Sequence, residues 1–213
     1  MQEVLKVNCI VTVAQKGRLS MLPVTLTAYS GNAVYIQSTR QRCDALFETL
    51  CGLKKPGQGQ VLIQNTDIYT LPMKEAAAFR RDRIGGIPYG GGLIPELRMI
   101  DQIALPLKLS GMENENIVEQ IRKMTNHLLP VHSLFNPPVR VTERKKAHAA
   151  IIRALITDPC LIIMNGFLDE YDEIDADALW QVFRELRPNG STLLYLSSDP
   201  APEQLVWTQK MRI

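Results

Sequence analysis

The chain lacks an excess of charge of either sign. Its 24 Lys and Arg against 22 Asp and Glu leave a formal net charge of +2, which gives no electrostatic basis for binding nucleic acid or for a polybasic grip on a membrane. It also lacks any apolar run near the roughly 18 residues of a membrane-crossing helix, so a membrane role has to pass through a partner. There is no CxxC pair. Cys9, Cys43, Cys51 and Cys160 are widely spaced and mostly sit in apolar runs, which predicts buried free thiols in a reducing, cytoplasmic compartment. The histidines His127, His132 and His148 have no metal-ligand spacing and read as ordinary surface or subdomain residues. No basic stretch leads into an apolar core at the start; MQEVLKVNCIVTV alternates apolar and polar residues and reads as a strand.

What is present suits one sizeable α/β domain in 213 residues. Residues 2–36 give short β-like runs, EVLKVNCIVTV, VTLTAY and AVYI, punctuated by Lys16-Gly17 and Ser30-Gly31-Asn32. A helix is predicted at about 43–51, with Ala45, Leu46, Leu50 and Cys51 on one stripe and Gly52 as its stop. The strand VLIQ and the basic helix KEAAAFRRDR follow, then the glycine-rich IGGIPYGGGLIPEL. Further helices are predicted at 112–129, with Ile117, Ile121, Met124 and Leu128 on one face, at 142–156 and at 175–187; the last two feed the apolar strands CLIIM and TLLYLS. Helices alternating with wholly apolar strands predict a parallel sheet covered on both faces. The mainly helical stretch from about 85 to 140 reads as an insertion into it.

The order of these segments says more than their periodicity. The run from CGLKKPGQGQVLIQNTDIYTLP to GGIPYGGGLIPELRMIDQIALPLKL, and then VTERKKAHAAIIRALITDPCLIIMNGFLDEYD, resembles the nucleotide-binding subunits of ABC transporters. The lipoprotein-release and macrolide-export type is nearest, with phospholipid-trafficking ABC ATPases nearly as close. The resemblance covers nearly the whole chain. It implies a P-loop NTPase-like ABC ATPase core with a parallel sheet, an N-terminal antiparallel β part and an inserted helical subdomain. On that basis residues 1–213 are one domain, with 1–84 and 141–213 as core and about 85–140 as the helical subdomain.

The same resemblance is poor at the motifs that carry chemistry. A phosphate-binding loop needs GxxxxGK[ST], so that backbone N–H groups wrap the phosphates, a lysine neutralises them and a hydroxyl ligates magnesium. Here the corresponding stretch is Ser38-Thr39-Arg40-Gln41-Arg42-Cys43-Asp44. Cys43 takes the lysine position, Asp44 the hydroxyl position, and Arg40 and Arg42 the glycines. A carboxylate about 4 Å from a phosphate oxygen costs on the order of 4 kcal/mol at an effective dielectric near 20, roughly a thousandfold in affinity. Arg40 and Arg42 either offset this through their side chains or form a solvated basic loop.

Elsewhere, Asn165 stands where the family has its magnesium-associated aspartate and Gly166 where it has the general-base glutamate, and glycine cannot take a proton from water. Tyr89 replaces the γ-phosphate-sensing glutamine and Ser198 the switch histidine. In the signature motif Thr142 keeps a hydroxyl, while Glu143 and Arg144 occupy two glycine positions. Asp172, matching the D-loop aspartate, is retained. The acidic run Asp169, Glu170, Asp172, Glu173 and Asp175 reads as a solvated loop and helix N-terminus.

The resemblance therefore implies a catalytically degenerate, non-hydrolysing subunit, structural or regulatory, of a membrane ABC-type transport complex. It would sit peripherally at the inner face of the membrane, held by a permease or a second ABC ATPase subunit; a homodimer is also open, and nucleic acid is not expected. The docking segment would be Tyr89, Gly90, Gly91, Gly92, Leu93, Ile94, Pro95 and Leu97, unless Leu93, Ile94, Leu97, Ile103, Leu105 and Leu107 simply pack the subdomain. No cofactor is expected. ATP and Mg2+ enter only under a second reading, in which binding or slow hydrolysis persists through Arg40, Arg42, Asn165 and Asp169. A third reading is a soluble scaffold detached from any permease.

Overall fold

The computed structural model describes residues 2–12, 23–126, 128–169, 171–203 and 205–213, without the side chains of 173 and 174. The expected Lys16-Gly17 turn, His127, Glu170 and the Glu173 side chain lie outside the described residues. Two sheets organise the rest. Strands β1 (Glu3–Val11), β2 (Val24–Tyr29), β4 (Gln58–Ile63) and β5 (Thr66–Asp67) form an antiparallel sheet in the order β2-β1-β4-β5. A parallel sheet runs β6-β7-β8-β3-β9, built from β3 (Ala33–Gln37), β6 (Ile84–Ile87), β7 (Leu161–Asn165), β8 (Thr192–Ser197) and β9 (Gln209–Arg212). The central strands β7 and β8 are buried at every residue, which is why their sequences are apolar without alternation.

Within those apolar strands the two faces are nonetheless distinct. Val34, Ile36, Leu161, Ile163, Leu194 and Leu196 join helix α1 (Arg40–Leu50) and the antiparallel sheet in one core. Their neighbours Tyr35, Ile162, Met164, Leu193 and Tyr195 join α6 (Glu143–Leu155) and α7 (Glu173–Leu186) in a second core. A third core holds α3 (Met99–Leu109), α4 (Asn114–Thr125) and the short α5 (Val131–Leu134) against Ala149, Ile152 and Ile156. Helix α6 therefore serves two cores, Ala147, Ala150 and Ile151 on the sheet side and Ala149 and Ile152 on the helical side.

Several local expectations shift. Residues 85–87, read as the start of the helical insertion, are strand β6, paired parallel to β7 from Ile84↔Leu161 to Ile87↔Met164. The helix expected at 43–51 begins at Arg40, the basic helix KEAAAFRRDR is α2 (Met73–Arg83), and the one expected at 112–129 is confined to 114–125. Cys43 and Cys51 are buried, but Cys160 is only partly covered and Cys9 is exposed. Cys9 lies where β1 slips register against both neighbours and has a φ of 47°; the bulge turns its side chain off the core face. His148 is largely buried because α6 packs into two cores; its Nδ1 donates to Leu128 O at 3.2 Å.

Candidate functional site

The region that the sequence singles out lies at the C-terminal ends of β3, β7 and β8, where an open parallel sheet presents its loops. Only Ser38 and Thr39 separate β3 from α1. The Ser38 N–H donates to Ser197 O and its hydroxyl donates to Ile213 O, each at 2.9 Å, so this short link is fastened to both strands flanking β3. Thr39 caps α1 without a side-chain bond, and its carbonyl accepts from the N–H groups of Arg42 and Cys43 at 3.0 Å. Cys43 is 1% exposed and belongs to the core, where burial pushes its thiol up to about 11.

Around that helix start the structure brings five of the expected residues together. The Arg40 guanidinium lies over the Tyr89 ring, 3.2 Å from its centroid, and its Nε is 3.2 Å from Asp44 Oδ1, one helical turn on. Asp44 Oδ1 also accepts from Asn165 Nδ2 at 2.7 Å. Asn165 is 2% exposed and its Oδ1 has no partner among the described residues. Gly166 follows with a φ of +55°, and a Cβ there would lie 2.7 Å from Arg40 Nη1 and 2.9 Å from Asp169 Oδ2. The missing side chain of Gly166 is therefore the space that Arg40 and Asp169 approach.

Asp169 is a correction to the sequence reading, which left it in a solvated loop. Its carboxylate accepts from the Tyr195 hydroxyl at 2.7 Å and from Ser197 Oγ at 2.5 Å. Burial raises its pKa above the ordinary carboxylate value, although both hydrogen bonds and the Arg40 charge oppose the shift. Tyr35, pushed up to about 12 mainly by burial, donates to the carbonyl of Asp199 next door. Tyr195 and Ser197 alternate on one face of β8, and that polar pair in an apolar strand was the available signal for this cluster.

The remaining expected residues are elsewhere. Thr142, Glu143 and Arg144 form the start of α6, where Glu143 pairs with Lys146 at 2.5 Å and Arg144 with Asp175 at 3.7 Å. Asp172 caps α7 by accepting from the Asp175 N–H at 2.8 Å. Ser198 is exposed beyond β8. In the docking segment, buried Gln102 accepts from the Ile94 N–H at 2.6 Å and donates to Leu97 O at 3.1 Å. Ile103 and Leu107 are core, Leu93 is half-buried, and Ile94 and Leu105 face outward. Sequence reasoning missed Gln102 and also Arg153, whose guanidinium donates to Gly92 O at 2.7 Å and Gly91 O at 2.8 Å.

These residues do not match the donor set for magnesium and a nucleotide phosphate. The link between β3 and α1 is only Ser38-Thr39 and contains no glycine, too short for the glycine-rich loop that wraps a phosphate. The lysine position is inside the core, the hydroxyl position is a carboxylate already paired with Arg40 and Asn165, and the residue directly after Asn165 is Gly166, which carries no carboxylate.

Comparison with known proteins bears on the scaffold. No family model matches the chain. Among curated relatives, the lipoprotein-releasing system ATP-binding protein LolD of Colwellia psychrerythraea is 29% identical over 140 residues, 66% of this chain and 54% of its own length. The ABC transporter ATP-binding protein YtrE of Bacillus subtilis is 26% identical over 196 residues, covering 88% of this chain and 84% of that protein. The homologues of this chain are ABC transporter ATP-binding subunits. The chain spans about half the length of that LolD. Its fold is the ABC ATPase fold: the dimeric cassette MJ0796, in a post-hydrolysis state bound to ADP and Pi, superposes with a TM-score of 0.78 at 22% identity, over 92% of this chain and 88% of that one. The cassette cbiO1 of Clostridium perfringens, part of the ABC transporter complex cbiONQ, gives 0.72 at 17% identity over 93% and 80%.

Proposed function

We propose that this chain is an ABC-type subunit of a membrane transport complex that contributes structure or regulation and does not hydrolyse ATP. The observation that carries the proposal is the set Arg40, Asp44, Tyr89, Asn165 and Gly166, in which Arg40 pairs with Asp44 and Tyr89 and approaches the open space at Gly166, and Asp44 also accepts from Asn165. An ATPase of this fold needs those groups turned toward a ligand. The homology to LolD and YtrE supports a place in a transport complex, and the dimeric cassette and the cbiONQ complex support a permease and a second cassette as the kinds of partner. Among the described residues no helix is long and apolar enough to cross a membrane; the attachment proposed here is through such a partner at its cytoplasmic side.

The purified chain is expected to release phosphate from ATP and Mg2+ at the rate of a no-protein control, and to shift from the soluble to the membrane fraction when co-expressed with its permease. Turnover above the control would remove the proposal. One observation favours a second reading, residual metal or nucleotide binding: the Oδ1 of buried Asn165, without a partner among the described residues, is an oxygen of the kind that ligates a cation.

A further inference from the structure

The turn Tyr89–Gly92 has few means of holding its own shape. Gly90, Gly91 and Gly92 have φ of 67°, 73° and 60°, and a run of glycines loses more freedom on ordering than any other residues would. Its flanks supply the restraint, and each flank supplies a cation. On one side the guanidinium of Arg153, from α6, donates to the carbonyls of Gly91 and Gly92. On the other, Arg40 from the first turn of α1 stacks on Tyr89, and its own position is set by Asp44 and by the open space at Gly166. Helix α1 belongs to the core on one face of the parallel sheet and α6 to the core on the other. The turn bridges the two faces and runs on into the segment that Gln102 clasps at Ile94 and Leu97.

We propose that Arg40 and Arg153 are positioning residues that tether this turn from opposite faces of the sheet, so that residues 89–97 are preset for a protein partner with no ligand bound. A preset segment meets its partner without the ordering cost that a loose glycine loop has to meet at the moment of binding. The partner's identity rests on the reading of the chain as a docking subunit; the tether is a property of the isolated chain.

Hydrogen exchange of the amides at 89–97, measured on the full chain without nucleotide, tests it. Arg40→Ala and Tyr89→Leu are each expected to speed exchange there about fivefold, the scale of a partly exposed cation–π contact. The double variant is expected to exchange no faster than either single one, because both changes remove the same contact. Tyr89→Phe, which keeps the ring face, is expected to retain the parent's protection. Arg153→Lys, which keeps the charge and loses the two-pronged donor, is expected to speed exchange at 91–93. Amides of β7 serve as the internal reference and are expected to stay as in the parent. Unchanged exchange in Arg40→Ala and Tyr89→Leu, or effects that multiply in the double variant, would overturn the tether and leave the non-hydrolysing reading intact. ATP turnover by the unaltered chain would do the reverse.

Discussion

At Gly166 the backbone takes a left-handed φ of +55°, with Arg40 Nη1 and Asp169 Oδ2 both within 3 Å of where a Cβ would stand. Gly166→Ala is therefore expected to cost about 1–3 kcal/mol, combining backbone strain with displacement of Arg40; denaturant unfolding measures it. Restoring a carboxylate by Gly166→Glu is expected to destabilise further without creating hydrolysis, since the site lacks a lysine and a phosphate cradle as well as a base. Asp169 gives a second residue-scale prediction. Its folded pKa is raised, so its contribution to stability is full at low pH, below the unfolded value near 3.8, and is lost as pH rises through the folded pKa. Asp169→Asn removes the ionisation, so its Tm relative to the parent is expected to climb as pH rises from the unfolded value near 3.8 through the raised folded pKa. Parallel Tm curves would contradict the buried carboxylate. The positions of Asn165, Gly166, Asp44 and Tyr89 are legible in the order of the sequence segments, but their mutual pairing is not, because contacts across 121 residues, as between Asp44 and Asn165, leave no local pattern.

Elements with a strong apolar period were legible and those built on glycine were not. β7, β8, α6 and α7 follow directly from runs such as LIIM and TLLYL, and from heptad-like spacing such as Leu179, Val182, Phe183 and Leu186. β6 reads IGGI, and glycine carries neither β-propensity nor a side chain to show alternation. The structure supplies its reason: a Cβ at Gly85 would sit 2.4 Å from Ala154 O of α6. Gly85→Val is therefore expected to force α6 off the sheet at a cost of about 2–4 kcal/mol, readable in urea unfolding. β9 was missed for a different reason, since QKMR is polar and exposed on the sheet edge and is a strand only through its pairing with β3. Helix α3 was hidden by Pro106 in its interior, where proline removes a hydrogen bond and normally argues against a helix.

For the whole molecule, the three cores are intact while the corner at the ends of β3 and β7 is occupied by the chain's own side chains. The proposal that the chain does not hydrolyse ATP rests on that contrast with the scaffold, shared with the dimeric cassette at a TM-score of 0.78. Arg40 faces Asp44 and Tyr89, so a phosphate has to displace both contacts before it gains the guanidinium. Freeing Arg40 by Asp44→Ser removes the repelling carboxylate and is expected to raise nucleotide affinity more than any other single change at this corner, though without hydrolysis. The most direct test of the account is a calorimetric titration of the purified chain with ATP, with and without Mg2+. The account predicts no saturable heat at micromolar nucleotide in either condition. Magnesium-dependent saturation in that range, lost on Arg40→Ala, would contradict it.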